Sequence, residues 1–541
     1  MRTALPHRCH YHGGFLVPGT TRLIRRSDLV ETQVVQNPPG KVSLLSRIRQ
    51  SAVWRSIFRQ GYPDTDENRA LVTFNTFFLH LHPVKIKKHT IKVTYTWGLG
   101  IISAFLFALL TVTGILLMFL YIPSVDRAYQ DMLGLETSVT FGMLLRNLHR
   151  WGAHLMVLVV FLHMCRVFFT GGYKEPREFN WALGVILWVI TLLLSFTGYL
   201  LPWDQLAYWA ITIASNIAGY VPVIGEQAKF FLLGAATVGQ NALLRFYALH
   251  VIALPAIMTI LIAVHLWRIR KDGGLSAPAE VAAPAPEVSP VESAPASAER
   301  VYPLQPEKTY GLMALMKRVS PMVEKGPENT LFSWPHLLVM EAIAVLSTTL
   351  FLLFVSFIVN APLRDMANPA VTEDPAKAPW FFSSLQEVLL HMNPTLAGFF
   401  VPVGVILVLM AIPYFDRDKR DVGIWFGSKR GKSICLFSAI YTTVAELGLV
   451  IFDGLVQWQP FFGESDLIRG WIVPLATIGS LMAILRLGLQ RWHPTRREVA
   501  LGFFTAFVVT YIVLTISTQF FRGSGMHLVP IWNLPPGGLT F

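Results

Sequence analysis

Four histidines in two apolar stretches are the residues best placed to do chemistry. His149 and His163 stand 14 residues apart within 147–165, and His250 and His265 stand 15 apart within 249–265. At about 1.5 Å per residue these separations are ~21–23 Å, and at ~3.6 residues per turn each pair returns to nearly one helix face. Two such helices side by side present two His–His pairs, one above the other, across most of a ~30 Å hydrocarbon core. A single buried histidine is ordinarily a hydrogen-bonded core residue. Four in matched register point to ligation, and bis-imidazole binding of two stacked haems is the chemistry that suits this spacing.

The elements that must hold these side chains are membrane helices. The chain has 541 residues, 53% hydrophobic and 14% charged, which marks a membrane protein and not a soluble enzyme. The net charge of +12 sits in short clusters at the ends of apolar runs, a pattern of topology determinants and lipid headgroup contacts that gives no case for nucleic acid. Cys9, Cys165 and Cys435 are too scattered for a disulfide framework or a CxxC site, so any haem is held by histidine without thioether links.

Apolar runs predict spanning helices at about 92–120, 140–169, 181–201, 244–270, 334–359, 396–414, 433–455, 467–489 and 498–521. The expected fold is an all-α membrane protein of about nine transmembrane helices, with an N-terminal four-helix bundle enclosing two stacked haems and a C-terminal helical part. Its expected parts are a polar basic extension (1–84), a dihaem four-helix domain (85–271), an Ala/Pro-rich linker (272–305), a second part (306–415) and additional helices (416–541). In the extension, His7, Cys9, His10 and His12 read as part of a disordered tail, and Arg25-Arg26 has no apolar run after it and so is no export signal. From 43 to 60, arginines interleave with Leu44, Leu45, Ile48 and Ile57, which reads as a helix lying on the membrane surface.

Lys85, Lys87, Lys88, Lys174, Arg177, Arg268, Lys271, Arg417, Arg420, Lys429, Arg491 and Arg496 all fall on one side of this pattern. By the positive-inside rule the N-terminus is cytoplasmic. His149 and His250 are then outer, and His163 and His265 inner. Gly100 and Gly114 in the first helix, and Gly184 and Gly198 in the third, repeat the 14-residue spacing. Small residues serve ordinary helix contacts, but in this register they would let flat macrocycles approach the backbone. Arg146, Arg150 and Arg166 flank the histidines as expected partners for haem propionates. His154 has no helical partner and reads as structural. Glu446 and Asp453, inside the seventh helix, suit either proton movement or a subunit contact.

The segments Arg146-Asn147-Leu148-His149-Arg150-Trp151, 170–178 and Thr197-Gly198-Tyr199-Leu200-Leu201-Pro202-Trp203-Asp204-Gln205 resemble cytochrome b of cytochrome bc complexes, and the Pro-Trp-Asp-Gln run resembles the plastoquinol-oxidising type. The resemblance covers about 85–415. It implies the core of a quinol:acceptor oxidoreductase in the inner (cytoplasmic) membrane, with two non-covalent b-type haems and a quinol or quinone substrate. It also implies a Rieske iron–sulfur protein and c-type cytochrome as partners, in a dimeric complex coupled to proton translocation.

The outer quinol site implied by the resemblance is bordered by Tyr199, Pro202, Trp203 and Asp204, and by Pro379, Trp380 and Phe381. The family's glutamate is replaced there, since the chain reads Ala378-Pro379-Trp380-Phe381. Glu387 is the expected substitute base, with Asp374 and Glu373 behind it; an ordinary solvated carboxylate is the other reading of Glu387. The family's covalently attached third haem is not expected, because no cysteine lies near Gly98. Two other classes remain: a dihaem anchor passing electrons between quinone and another oxidoreductase, and an ion transporter, which would need broken helices or inverted repeats.

Overall fold

A computed structural model describes residues 51, 65–75, 81–278, 329–418, 420–456, 465–530 and 532. The tail, nearly all of the surface helix expected at 43–60 and most of the linker lie outside the described residues. Every contact given below lies within the unit Thr65–Phe541.

The protein is an all-α membrane protein. Among the described residues, nine helices are long and apolar enough to cross a bilayer: α1 (Leu99–Met118), α2 (Gly142–Phe169), α3 (Glu178–Tyr199), α4 (Gln240–Lys271), α5 (Ser333–Ile358), α7 (Leu396–Phe415), α8 (Lys429–Val456), α9 (Leu467–Gln490) and α10 (Arg496–Phe521). Helix α6 (Trp380–His391) is shorter and precedes α7. In lipid every backbone group must be satisfied internally, which is why the apolar runs become helices. A short antiparallel ladder was not expected: Lys85–Lys87 (β1) pairs with Thr330–Phe332 (β2), joining the approach to α1 with the approach to α5.

Helix α1 packs on α2, α2 on α3 and α3 on α4, and the outer part of α4 returns to α1. Buried Leu99, Leu106, Met156, Val159, Leu187, Ile190, Leu254 and Met258 form the core of this ring. Helix α5 packs on α1 and α2, while α10 lies against α6 and α8.

Two polar ties hold the outer helices. Pro413 inside α7 supplies no N–H for the carbonyl of Leu409, four residues earlier. Trp181 Nε1 of α3 donates to that carbonyl at 2.6 Å. At the other end, the closing carbonyls of α5 are taken by α2: Asn147 donates to Ser356 O at 2.9 Å and Trp151 Nε1 to Val359 O at 2.8 Å. These are orphan carbonyls of a helix end, costly to leave bare in an apolar setting.

Proline shapes the helices further. Wide π turns occur at Leu249–Ala253, Leu396–Phe400 and Leu467–Ile472. Each lies just ahead of a proline (Pro255, Pro402 and Pro474), whose ring crowds the carbonyl one turn back and favours a wider turn.

Candidate dihaem and quinol sites

The π turn explains the unequal histidine spacing. Four turns of α-helix take about 14.4 residues, so 15 residues overshoot by about 60°. A π turn uses about 4.4 residues and absorbs most of the surplus. The one in α4 runs from Leu249 to Ala253, so His250 sits within it and His265 beyond it, and the wider turn brings the two rings back to one face.

His149 of α2 and His250 of α4 face each other with ring centroids 6.2 Å apart and planes 74° apart. Their Nδ1 atoms are held from behind. Thr113 Oγ1 lies 2.9 Å from His149 Nδ1, and His250 Nδ1 lies 3.0 Å from Leu194 O and 3.3 Å from Thr197 Oγ1. Fixing Nδ1 leaves Nε2 as the free nitrogen on each ring. Thr113 and Thr197 were missed in the sequence, although each directly precedes a singled-out glycine, Gly114 or Gly198.

All four glycines meet the histidines themselves. A Cβ on Gly114 would stand 3.3 Å from His149 Cε1, on Gly198 2.5 Å from His250 Cε1, on Gly100 3.2 Å from His163 Cε1 and on Gly184 3.7 Å from His265 Cε1. The clearance expected for a macrocycle is used, at the atoms present, to seat an imidazole.

These residues fit haem. The 6.2 Å between the ring centroids of the outer pair leaves room for one metal ion held by both imidazoles, each metal–nitrogen bond taking about 2.0–2.1 Å. Arg150 Nε and Arg166 Nη2 are buried with no hydrogen-bond partner among the described residues. Such an atom costs about 1–3 kcal/mol, and a carboxylate would relieve it. Arg150 lies over the Tyr199 ring at 4.8 Å and Arg166 over Tyr95 at 4.2 Å. Arg146 departs from expectation. Its guanidinium pairs with Glu136 and donates to Ala361 O and Pro362 O, so its donors are committed to protein groups and not to a propionate.

At the outer loop, Tyr199 and Trp203 are buried. Asp204 caps the helix that follows: Oδ1 accepts from Ala207 N at 2.8 Å and Oδ2 from Arg364 N at 3.1 Å. Ala367 N donates to Trp203 O at 3.1 Å, so this loop and the one after α5 are stitched together. Asp204 thus shapes the loop.

The Pro379-Trp380-Phe381 segment opens α6. Trp380 Nε1 donates to His154 Nδ1 at 2.8 Å, and the Phe381 ring lies 6.0 Å from His154. An indole N–H only donates, so neutral His154 carries its proton on Nε2. Phe382, not singled out in the sequence, touches Phe196 of α3 edge-on at 6.1 Å, a direct link between α6 and α3.

Glu387 is neither a solvated carboxylate nor a free base. It is fully buried and accepts from Ser517 at 2.9 Å, Thr518 at 2.8 Å and Arg522 Nη2 at 2.5 Å. Burial pushes its pKa up, but hydrogen bonds from His391, Arg522 and Thr518 outweigh that and hold it at about 2. A carboxylate so held is a poor acceptor for a quinol proton, which corrects the expected role. Asp374 Oδ1 is engaged too, by Gly525 N at 2.5 Å.

His391 lies 3.5 Å from Glu387 and 2.6 Å from Asp453, with Arg522 and Glu446 also in its field. Burial pulls its pKa down, and the bonds to Asp453 and Glu387 more than reverse this, to about 9. A raised histidine pKa adds stability that is complete below its ordinary value of 6.5 and fades as pH rises through about 9. The melting temperature of the parent should therefore exceed that of His391→Gln at about pH 6, and the gap should close by about pH 10. A pH-independent gap would show that His391 is not charged in the folded state.

The comparisons with known proteins follow the same residues. The family model described as Cytochrome b/b6/petB matches residues 84–273. Cytochrome b6 of Prochlorococcus marinus (strain AS9601) is 44% identical over 181 residues, covering 34% of this chain and 83% of that protein. The chain belongs to the cytochrome b/b6 family. The cytochrome b6 of Prochlorococcus marinus subsp. pastoris is similar to the same extent, 44% over 181 residues. A solved structure titled "Hyperthermophilic respiratory Complex III" shares the fold, with a TM-score of 0.53 at 21% identity over 87% of this chain and 98% of that one. This cytochrome b is accordingly a haem-binding, multi-pass oxidoreductase subunit of electron transport, the core of a bc-type complex. Helices α5–α10 lie beyond the residues matched by the family model.

Proposed function

We propose that this cytochrome b oxidises quinol at its outer face, sending one electron to a Rieske-type iron–sulfur partner and the other inward to a quinone site. The observation that carries the reading is the outer imidazole pair, 6.2 Å apart with glycine behind each ring. His149 and His250 would hold the outer haem, and His163 and His265 the inner one. When bound, the two haems supply a one-electron path across the membrane.

The chain's own residues do the rest. Helices α1 and α3 seat the imidazoles, and Arg150 and Arg166 offer buried donors to carboxylates. Tyr199, Pro202, Trp203, Phe381 and Phe382 wall the quinol site with aromatic and apolar surface. The 85–271 part is the dihaem domain and 306–415 completes the quinol site. The basic loops favour a cytoplasmic N-terminus, and protons released outside would add to the proton gradient.

A second reading, a dihaem anchor without bifurcation, is favoured by one observation: Glu387, the expected base, is locked to Arg522. A pre-steady-state experiment separates the two. The complex is mixed anaerobically with a short-chain quinol while haem and iron–sulfur signals are followed. Bifurcation predicts that both signals appear together, one electron each per quinol. Haem reduction with an unchanged iron–sulfur signal would leave the anchor, and no haem reduction would remove both.

A further inference from the structure

Helix α6 is not self-supporting. It has 12 residues and starts after Pro379 with no side-chain cap, whereas isolated helices need about 12–15 residues to be even marginal in water. Most of its polar support comes from one neighbour, α10, beside the single ties of Trp380 to His154 and of His391 to Asp453. Tyr511 of α10 donates to Phe381 O at 3.2 Å, and Thr518 Oγ1 lies 2.9 Å from Ser383 O and 2.8 Å from Glu387 Oε2, its one proton shared between them. Gln519 Nε2 donates to Ala378 O at 2.9 Å and reaches Ser383 Oγ at 2.6 Å. Ser517, Thr518 and Arg522 all end on Glu387, and Lys377 Nζ donates back to Gln519 O at 3.0 Å. Ser517, Thr518, Gln519 and the capping Arg522 are buried, between 0% and 4% exposed, and Tyr511 is half-buried.

These bonds bracket Pro379-Trp380-Phe381 on both sides: Ala378 before it, Phe381 at its end, Ser383 and Glu387 after it. The partners sit in α10 and at Arg522, which caps it, all beyond the residues matched by the family model. We propose that α10 is the positioning element of the outer quinol site, with Gln519 and the Arg522–Glu387 pair setting where this segment stands against α3. The proposal rests on the quinol-oxidising reading above. Gln519, Arg522 and Glu387 touch no substrate in it. They act through the backbone of α6, and Glu387 serves as an anchor for Arg522.

The test uses the whole complex in native membranes, with decylubiquinol and menadiol as separate substrates. Gln519→Leu removes the donor to Ala378 at similar volume. It should raise the quinol KM about tenfold with a smaller change in kcat, while haem content and the dithionite-reduced spectrum stay as in the parent. Arg522→Gln and Glu387→Gln should each impair KM similarly. The double variant, left with a neutral amide pair, should return to within about threefold of the parent.

Unchanged kinetics in Gln519→Leu and Arg522→Gln would overturn the proposal. So would a double variant no better than Glu387→Gln alone, since a missing base is not rescued by neutralising its partner. Haem loss in Gln519→Leu would also count against it, because the effect would then extend beyond the quinol site. A parent that reduces its haems with neither quinol removes the functional reading and this proposal together, whereas an active parent with unaffected variants removes this proposal alone.

Discussion

Replacing His149 by alanine is expected to remove one b-type haem, leaving the other in place, and His163→Ala to remove the other one. The two sites are separated along α2 by 14 residues, or ~21 Å of helix, so damage at one need not reach the other. Each variant would lose one of the two histidines that would hold the haem, leaving His250 or His265 without its counterpart. The dithionite-reduced minus oxidised spectrum, with a haem-to-protein ratio, reads the outcome directly. The parent should carry two haems and each variant one, with different band positions. One haem in the parent, or the same haem missing from both variants, would break the stacked arrangement.

The second large effect comes from adding a single methyl group. A Cβ on Gly198 would stand 2.5 Å from Cε1, 3.0 Å from Nδ1 and 3.1 Å from Nε2 of His250. The ring cannot easily step aside, because its Nδ1 is held against Leu194 O and Thr197. Overpacking of this kind costs about 1–3 kcal/mol, and at a ligand the cost appears as lost occupancy. Gly198→Ala should therefore lose most of the outer haem. Gly184→Ala is the control: its Cβ would meet His265 at 3.7 Å, an ordinary contact, and alanine in a helix is preferred over glycine by about 0.5–1 kcal/mol. It should keep both haems and gain slightly in stability. Equal behaviour of the two variants in haem-to-protein ratio would sink the account of these glycines.

The sequence made the nine spans plain because each is a long apolar run, and hydrocarbon leaves such a run no choice but a helix. It also exposed the histidine pairs and their glycines, because helical register is a local property that spacing reports. The roles of charged side chains were harder to see, since they depend on partners far along the chain. Glu387 looked like a base because Arg522, 135 residues away, shows no link to it in the sequence. Arg146 looked like a propionate partner because the carbonyls of Ala361 and Pro362, and Glu136 across a turn, become its neighbours only on folding. The pairing of β1 with β2 was hidden for another reason, since three-residue strands leave no periodic trace. The tie of α10 to α6 combines both difficulties: it runs between elements far apart, and mostly through backbone carbonyls, which every residue has.

The wide turn in α4 has a mechanical consequence. A regular α-helix is stiff because every carbonyl is tied to the amide four residues on. From Leu249 to Ala253 that ladder is stretched by one residue, and Pro255 just beyond it offers no amide at all. The helix is thus two stiff rods joined by a compliant knuckle, with His250 at the joint and His265 well down the inner rod. A bend there would let the end of α4 that carries His250 shift without levering His265 out of line. A movement made when substrate comes or goes on one side of the membrane would be damped before it reached the redox centre on the other.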